Sequence, residues 1–258
     1  MRRLLPALVC ASLLLAVGPH AAGAAPLKGA FVLSFGPANA KHARYKQFVQ
    51  SSGRFQQVVD ELNLTFDLPA NIAIRFEEGD GPAYYEDDRT IVMNYDFVQN
   101  AVEVFAGSDA DLRNEEVADN VLGVIEFVLY HEMGHALINV YDLPVTGKEE
   151  DSVDALATVV AVITDRQTIA LAGIDLFNAW AEERGELSEE DFWDEHSLDE
   201  QRMYAIICWL YGSDPKLFKD LAKAVEMDAD REDACQADWQ RQYHAWSKLL
   251  ENHLKPGD

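Results

Sequence analysis

The stretch that decides the reading of this chain is "YHEMGHALI", residues 130–138. Two histidines stand four apart, and a glutamate follows the first directly. On an α-helix, residues i and i+4 lie one above the other on the same face. His131 and His135 can therefore direct two imidazoles at one tetrahedral metal ion, with Glu132 beside that face and next to a metal-bound water. Zinc held by three protein ligands keeps one position for water and lowers its pKa toward ~7. A nearby carboxylate can then take the proton as the water attacks a carbonyl.

The flanking sequence supports a helix here. In "NEEVADNVLGVIEFVLYHEMGHALINVY" the apolar residues Val117, Val121, Leu122, Val124, Ile125, Val128, Leu129 and Met133 fall at interior spacings. They predict one long, largely buried helix from about Asn114. "DLPVTGK" breaks it, and Thr146 followed by Glu149 matches a capping box that would open a second helix running to about Ala172. Glu150 and Asp154, again four apart, sit in the first turns of that helix. Glu150 is the candidate third ligand. Asp154 would accept a hydrogen bond from the far nitrogen of a zinc-bound histidine and fix its tautomer. Glu149 and Asp151 read as first-turn acids favoured by the helix dipole. Gly134 would let another segment pack close to the helix.

Peptide hydrolysis also needs a donor for the oxyanion. His196, in "WDEHSLDEQR" between helical segments, is the candidate, with Tyr130, Tyr204 and Tyr211 as weaker alternatives. Arg202 is expected in a structural salt bridge. His42, His244 and His253 have no partner spacing and are expected at the surface.

Before the motif, "FVLSFGPA" and "ANIAIRFEE" read as strands, and residues 41–62 as helix with a break at Ser51-Ser52-Gly53. Turns near Gly79–Pro82 and Glu86–Asp88 predict a hairpin of strands 82–86 and 89–96. Beyond it the pattern is helical to the end. Strands first and helices after indicate an α+β fold.

The N-terminus carries Arg2 and Arg3, the apolar run Leu4–Val17, and Ala22-Gly23-Ala24. Residues 1–24 are expected to be a signal peptide, an uncleaved anchor being the lesser reading, with residues 25–258 one domain. Within that domain, 25–110 would hold the sheet and 111–258 would be helical. No second apolar segment reads as long enough to span a bilayer, so the mature chain is expected to be soluble, without stable membrane association, in the periplasm or secreted. Cys208 and Cys235 remain after cleavage, and export favours a disulfide between them. The formal net charge of -24 disfavours nucleic-acid and anionic-lipid partners.

The pair His131-Glu132-x-x-His135 and Glu150-x-x-x-Asp154 resembles the gluzincin class of zinc metallopeptidases, in which the distal glutamate is the third ligand. The wider chain is similar to a family of exported bacterial proteins described as metallopeptidases, otherwise a domain of unknown function. The likeness lies in "AYYEDDRTIVMNYDFV", "YHEMGHALI", "LPVTGKEEDSVDALA", "EHSLDEQRMYAIICWLYGSDP" and the Cys235–Trp246 region. It implies a zincin-like architecture, with a small N-terminal sheet beside the metal helix and "RTIVMNY" as an edge for an extended peptide; a plain structural strand is equally compatible. The expected function is a Zn2+-dependent metalloendopeptidase acting on peptides or proteins, although the residues themselves leave endo- and exo-cleavage open. The alternative is a peptidase-like binding module that retains zinc without turnover. Oligomeric state is not readable.

Overall fold

The computed structural model describes residues 28–107 and 110–256, so the expected signal peptide lies outside the described residues. Strand β1 (Phe31–Phe35) leads into helices α1 (Ala43–Ser51) and α2 (Arg54–Thr65). Gly53, at φ 68°, takes the left-handed turn that separates the two helices at the expected break. Strands β2 (Ile72–Glu77), β3 (Ala83–Tyr85) and β4 (Thr90–Asn94) follow, then helix α3 (Tyr95–Ala106). The sheet order is β1-β2-β4-β3, with β1, β2 and β4 parallel and β3 antiparallel to β4. This is an α+β arrangement, a small mixed sheet followed by helices.

Two expectations for this half are corrected. The strand predicted to run to residue 96 stops at Asn94, because Asn94 turns its side chain to accept the Phe97 N–H and caps α3. And β4 is not an edge. It lies between β2 and β3, with all five residues buried, so the edge strands are β1 and β3.

Helix α4 (Glu115–Tyr141) is capped by Asn114 and is the spine of the molecule, buried almost without interruption from Val121 to Ile138. Contrary to the expectation that no further segment could span a bilayer, α4 is long and apolar enough by length and composition. Its most apolar window, however, is 94% buried inside the protein, so its hydrophobicity is used for core packing. Helix α4 packs against α3 and the sheet, and against α5 (Glu149–Ile163) and α6 (Gln167–Arg184). The buried carboxylate of Glu126 pins α4 in place, accepting from Arg54, Arg166 and Tyr130. Those partners come from α2, from the turn before α6 and from α4 itself.

The capping box at Thr146 is not formed. Lys148 occupies the cap position, and α5 starts at Glu149. Nor does that helix continue to residue 172. It ends at Ile163, and Asp165 (φ 59°) and Arg166 redirect the chain into α6, where Arg166 reaches back to Glu126 and Glu61. After α6 come a 3-10 turn (Glu190–Phe192), α7 (Asp199–Ser213), α8 (Lys219–Ala224) and α9 (Ala229–Leu250). Cys208 of α7 and Cys235 of α9 form the expected disulfide.

The contact that sets the site is between α4 and α5. A Cβ added at Gly134 would lie 2.6 Å from Val153 Cγ1 and 2.7 Å from its Cβ, so the two helices meet at a point where any side chain but glycine collides. Gly134→Ala is therefore expected to destabilise the protein by about 1–3 kcal/mol, as overpacking of a tight core does. Urea denaturation measures it; an unchanged midpoint would mean that α5 can move away without cost.

Candidate metal centre

Because α4 and α5 approach so closely, the polar residues on their facing turns meet. His131 Nδ1 lies 2.8 Å from Asp154 Oδ1, and His135 Nδ1 lies 2.7 Å from Glu149 Oε1. A carboxylate can only accept, so each histidine carries a proton on Nδ1, and in the neutral form its Nε2 lone pair faces inward. The two Nε2 atoms are 3.4 Å apart. Glu150 closes the triangle, with Oε2 3.0 Å from His131 Nε2 and Oε1 3.3 Å from His135 Nε2.

Those separations can be compared with coordination chemistry. Two donors each about 2.0–2.1 Å from one tetrahedral zinc stand about 3.3 Å apart. The Nε2–Nε2 distance, and the distance from each Nε2 to its nearer Glu150 oxygen, fall close to this value. Glu150 Oε2 is also buried and makes no aligned hydrogen bond with any described residue, an unsatisfied state that a bound cation relieves. Donor set, spacing and the orphaned oxygen all fit a zinc ion. These three residues form one of the groups of potential ligands among the described residues.

Electrostatics agree. Burial works against ionising Glu150, but the imidazoles of His131, His135 and His196 around it hold its carboxyl well below the usual range. Burial disfavours the charged form of His135, yet Glu150 and Glu149 more than offset that and raise it to about 9. His131, fully enclosed, is likewise raised by Asp154 and Glu150. Protons therefore compete with a metal ion for both Nε2 atoms. With His135 raised to about 9, zinc affinity should climb as pH rises toward that value, by about tenfold per unit for each proton displaced. Competition titration with a chelator at pH 6.5 and 8 measures the slope. A flat profile would mean that the imidazoles are already neutral.

Glu132 is buried on the adjoining side of α4. Burial raises its pKa, opposed by His131 and His135, with Glu150 pushing it up further and a hydrogen bond from the Tyr84 main-chain N–H pulling it down. That N–H belongs to β3, so the edge strand runs along the site. The cleft holds about 520 Å3 and is lined by Pro82, Ala83 and Tyr84 of the β3 segment, by the α4 and α5 residues above, and by Glu195 and His196. A larger cavity of about 850 Å3 lies beyond the Asp154–Arg202 pair, but none of His131, Glu132, His135 or Glu150 lines it.

His196 reaches the cleft as expected, its Nε2 3.0 Å from Glu150 Oε2. Lys148 holds its loop in place by donating to the carbonyls of Asp194 and His196, at 3.1 and 2.9 Å. Tyr130, Tyr204 and Tyr211 are not at the site. Tyr130 donates to buried Glu126, Tyr204 is half-exposed, and none of the three lines the cleft. Arg202 makes the structural pair expected of it, donating to both oxygens of Asp154 at 2.7 and 2.9 Å and lying over the Phe177 ring. Two features were not anticipated. Glu149 serves as a partner of His135 in addition to starting a helix, and Tyr84 meets Glu132. His42, expected at the surface, is buried.

No curated protein and no solved structure matches the chain. A family model does, over residues 36–250, which include every residue of this site. The chain belongs to the family that this model describes as "Putative metallopeptidase".

Proposed function

We propose that the protein is an exported, zinc-dependent endopeptidase whose ion is held by His131, His135 and Glu150. The observation that carries this reading is the triangle of inward-facing donors at 3.0, 3.3 and 3.4 Å with buried Glu132 beside it. Bound zinc would supply Lewis-acid chemistry, polarising a carbonyl and making water acidic near neutral pH. Glu132, its pKa raised by burial, would accept a proton from the attacking water and return it to the departing amine. His196 would donate from Nε2 to the developing oxyanion, held in place by the Lys148 contacts to its loop. Asp154 and Glu149 would keep His131 and His135 in the ligating tautomer.

The free edge of β3 offers main-chain groups to an extended peptide lying across the cleft. Among the described residues lining the cleft, Lys148 is the one Lys or Arg, and two carbonyls already engage it. Tied to that loop, Lys148 is poorly placed to capture a substrate's C-terminal carboxylate, which favours internal cleavage. Export is supported by the N-terminal sequence pattern and by the Cys208–Cys235 disulfide. Protein recovered outside the cytoplasm should begin at residue 25.

The test is elemental analysis together with a peptide-library cleavage assay on the chain from residue 25. About one zinc should be bound in the cleft, chelation should abolish cleavage, and zinc should restore it. Glu150→Ala should lose the cleft zinc and activity together. A fully zinc-loaded protein that cleaves nothing would overturn the enzyme reading in favour of a binding module.

A further inference from the structure

Just past the carboxyl ends of β2 and β4, another histidine is enclosed among carboxylates. His42 at the start of α1 is 2% exposed. Its Nδ1 is 2.8 Å from Glu78 Oε2, which also accepts from Asn39 Nδ2, while the Asn39 N–H donates to Glu78 Oε1. Glu78 thus fixes the His42 ring as Asp154 fixes His131. The other nitrogen, Nε2, is buried and makes no hydrogen bond with any described residue, yet it lies 3.2 Å from Asp96 Oδ1. That is the separation of two donors on one zinc ion, about 3.3 Å, without the alignment of a hydrogen bond. One potential ligand atom each from His42, Glu78 and Asp96 lies within 4.8 Å of the other two.

The charge balance points the same way. Two carboxylates face one imidazole. Lys41 is the nearby cation, 3.4 Å from Asp96 Oδ1 and largely exposed, so it screens the rim and leaves Nε2 unsatisfied.

We propose that His42 Nε2 and Asp96, with Glu78 alongside, form a second divalent-cation site, of zinc type because an imidazole is among its donors. The ion would be structural. It would join the N-terminus of α1, the residue following β2 and the first turn of α3. Glu78 directly precedes the Gly79–Pro82 turn that leads into β3, and Asn94 Nδ2 already donates to the Gly79 carbonyl. A cation here would brace the root of the strand that gives its Tyr84 N–H to Glu132. The site shares no ligand with the cleft.

The probe is zinc alone, measured by equilibrium dialysis and elemental analysis on the chain from residue 25. His135→Ala/Glu150→Ala strips the cleft to one candidate ligand and isolates the second site. At saturating zinc the unaltered chain should bind about two ions, this variant about one, and this variant with Asp96→Asn about none. Zinc should raise the melting temperature of His135→Ala/Glu150→Ala and leave that of the triple variant unchanged. Asp96 is more than half exposed, so its replacement spares the fold, and circular dichroism checks that. His42→Gln in the same background should lose the ion as well. The proposal falls if His135→Ala/Glu150→Ala binds no zinc, if Asp96→Asn retains the ion, or if calcium but not zinc raises the melting temperature.

Discussion

Glu132→Gln should reduce peptide cleavage by about 10²- to 10⁴-fold while leaving the bound zinc in place, the range expected for loss of a positioned general base. The side chain is buried beside the two imidazoles, and burial gives it the raised pKa that suits a group accepting and then returning a proton. Gln matches its volume and can still accept from the Tyr84 N–H, so local geometry has no reason to change. It cannot take up a proton. The two measurements belong on one preparation, kcat/KM for a cleaved peptide and zinc per chain. Activity within about twofold of the parent would exclude Glu132 as the base. Loss of activity together with zinc would show that it supports ligation instead.

That the site could be read from sequence follows from helix geometry. His131, His135, Glu150 and Asp154 are related by offsets of four on two helices, a spacing that fixes side-chain direction without knowledge of the tertiary fold. What the offsets do not encode is which side chain crosses from one helix to the other. Glu149 and Glu150 are neighbours in the first turn of α5, and only the approach of α5 to α4 at Gly134 decides that one meets His135 Nδ1 and the other the Nε2 pair. His42 is the sharper case. Its partners Glu78 and Asp96 lie in other elements, so no local pattern marks it.

The missed elements have similar causes. Helix α3 begins at the residue after β4, and β4 is buried on both faces, so neither an alternating strand pattern nor a turn residue marks the boundary. The break between α5 and α6 contains no glycine or proline. Asp165 adopts φ 59°, where non-glycine residues are uncommon, and the Arg166 contacts to Glu126 and Glu61 accompany that turn. Tertiary contacts override local preference there. The reading of β4 as an edge failed for a topological reason: β2 pairs with β4 across the intervening β3 hairpin arm, and sequence order does not reveal that crossover.

Asp154→Ala should have the largest effect on stability, about 3–5 kcal/mol, because it leaves a charge buried without its partner. Asp154 lies at 1% exposure between two donors, the bidentate Arg202 guanidinium on one side and His131 Nδ1 on the other. Its carboxyl is held ionised despite burial, chiefly by Arg202. Removing it also frees the His131 ring, which should weaken zinc binding by about 10- to 100-fold, as loss of a histidine's carboxylate partner typically does. The two losses are separable. In Asp154→Ala/Arg202→Met the orphaned guanidinium is gone as well, so much of the folding stability should return. Zinc affinity should not, since nothing then orients His131. Urea denaturation of the zinc-free proteins and zinc competition titration on the folded ones test both halves. If the second replacement restores zinc affinity along with stability, Asp154 acts on the metal site only through the fold, and the orienting role assigned to it is wrong.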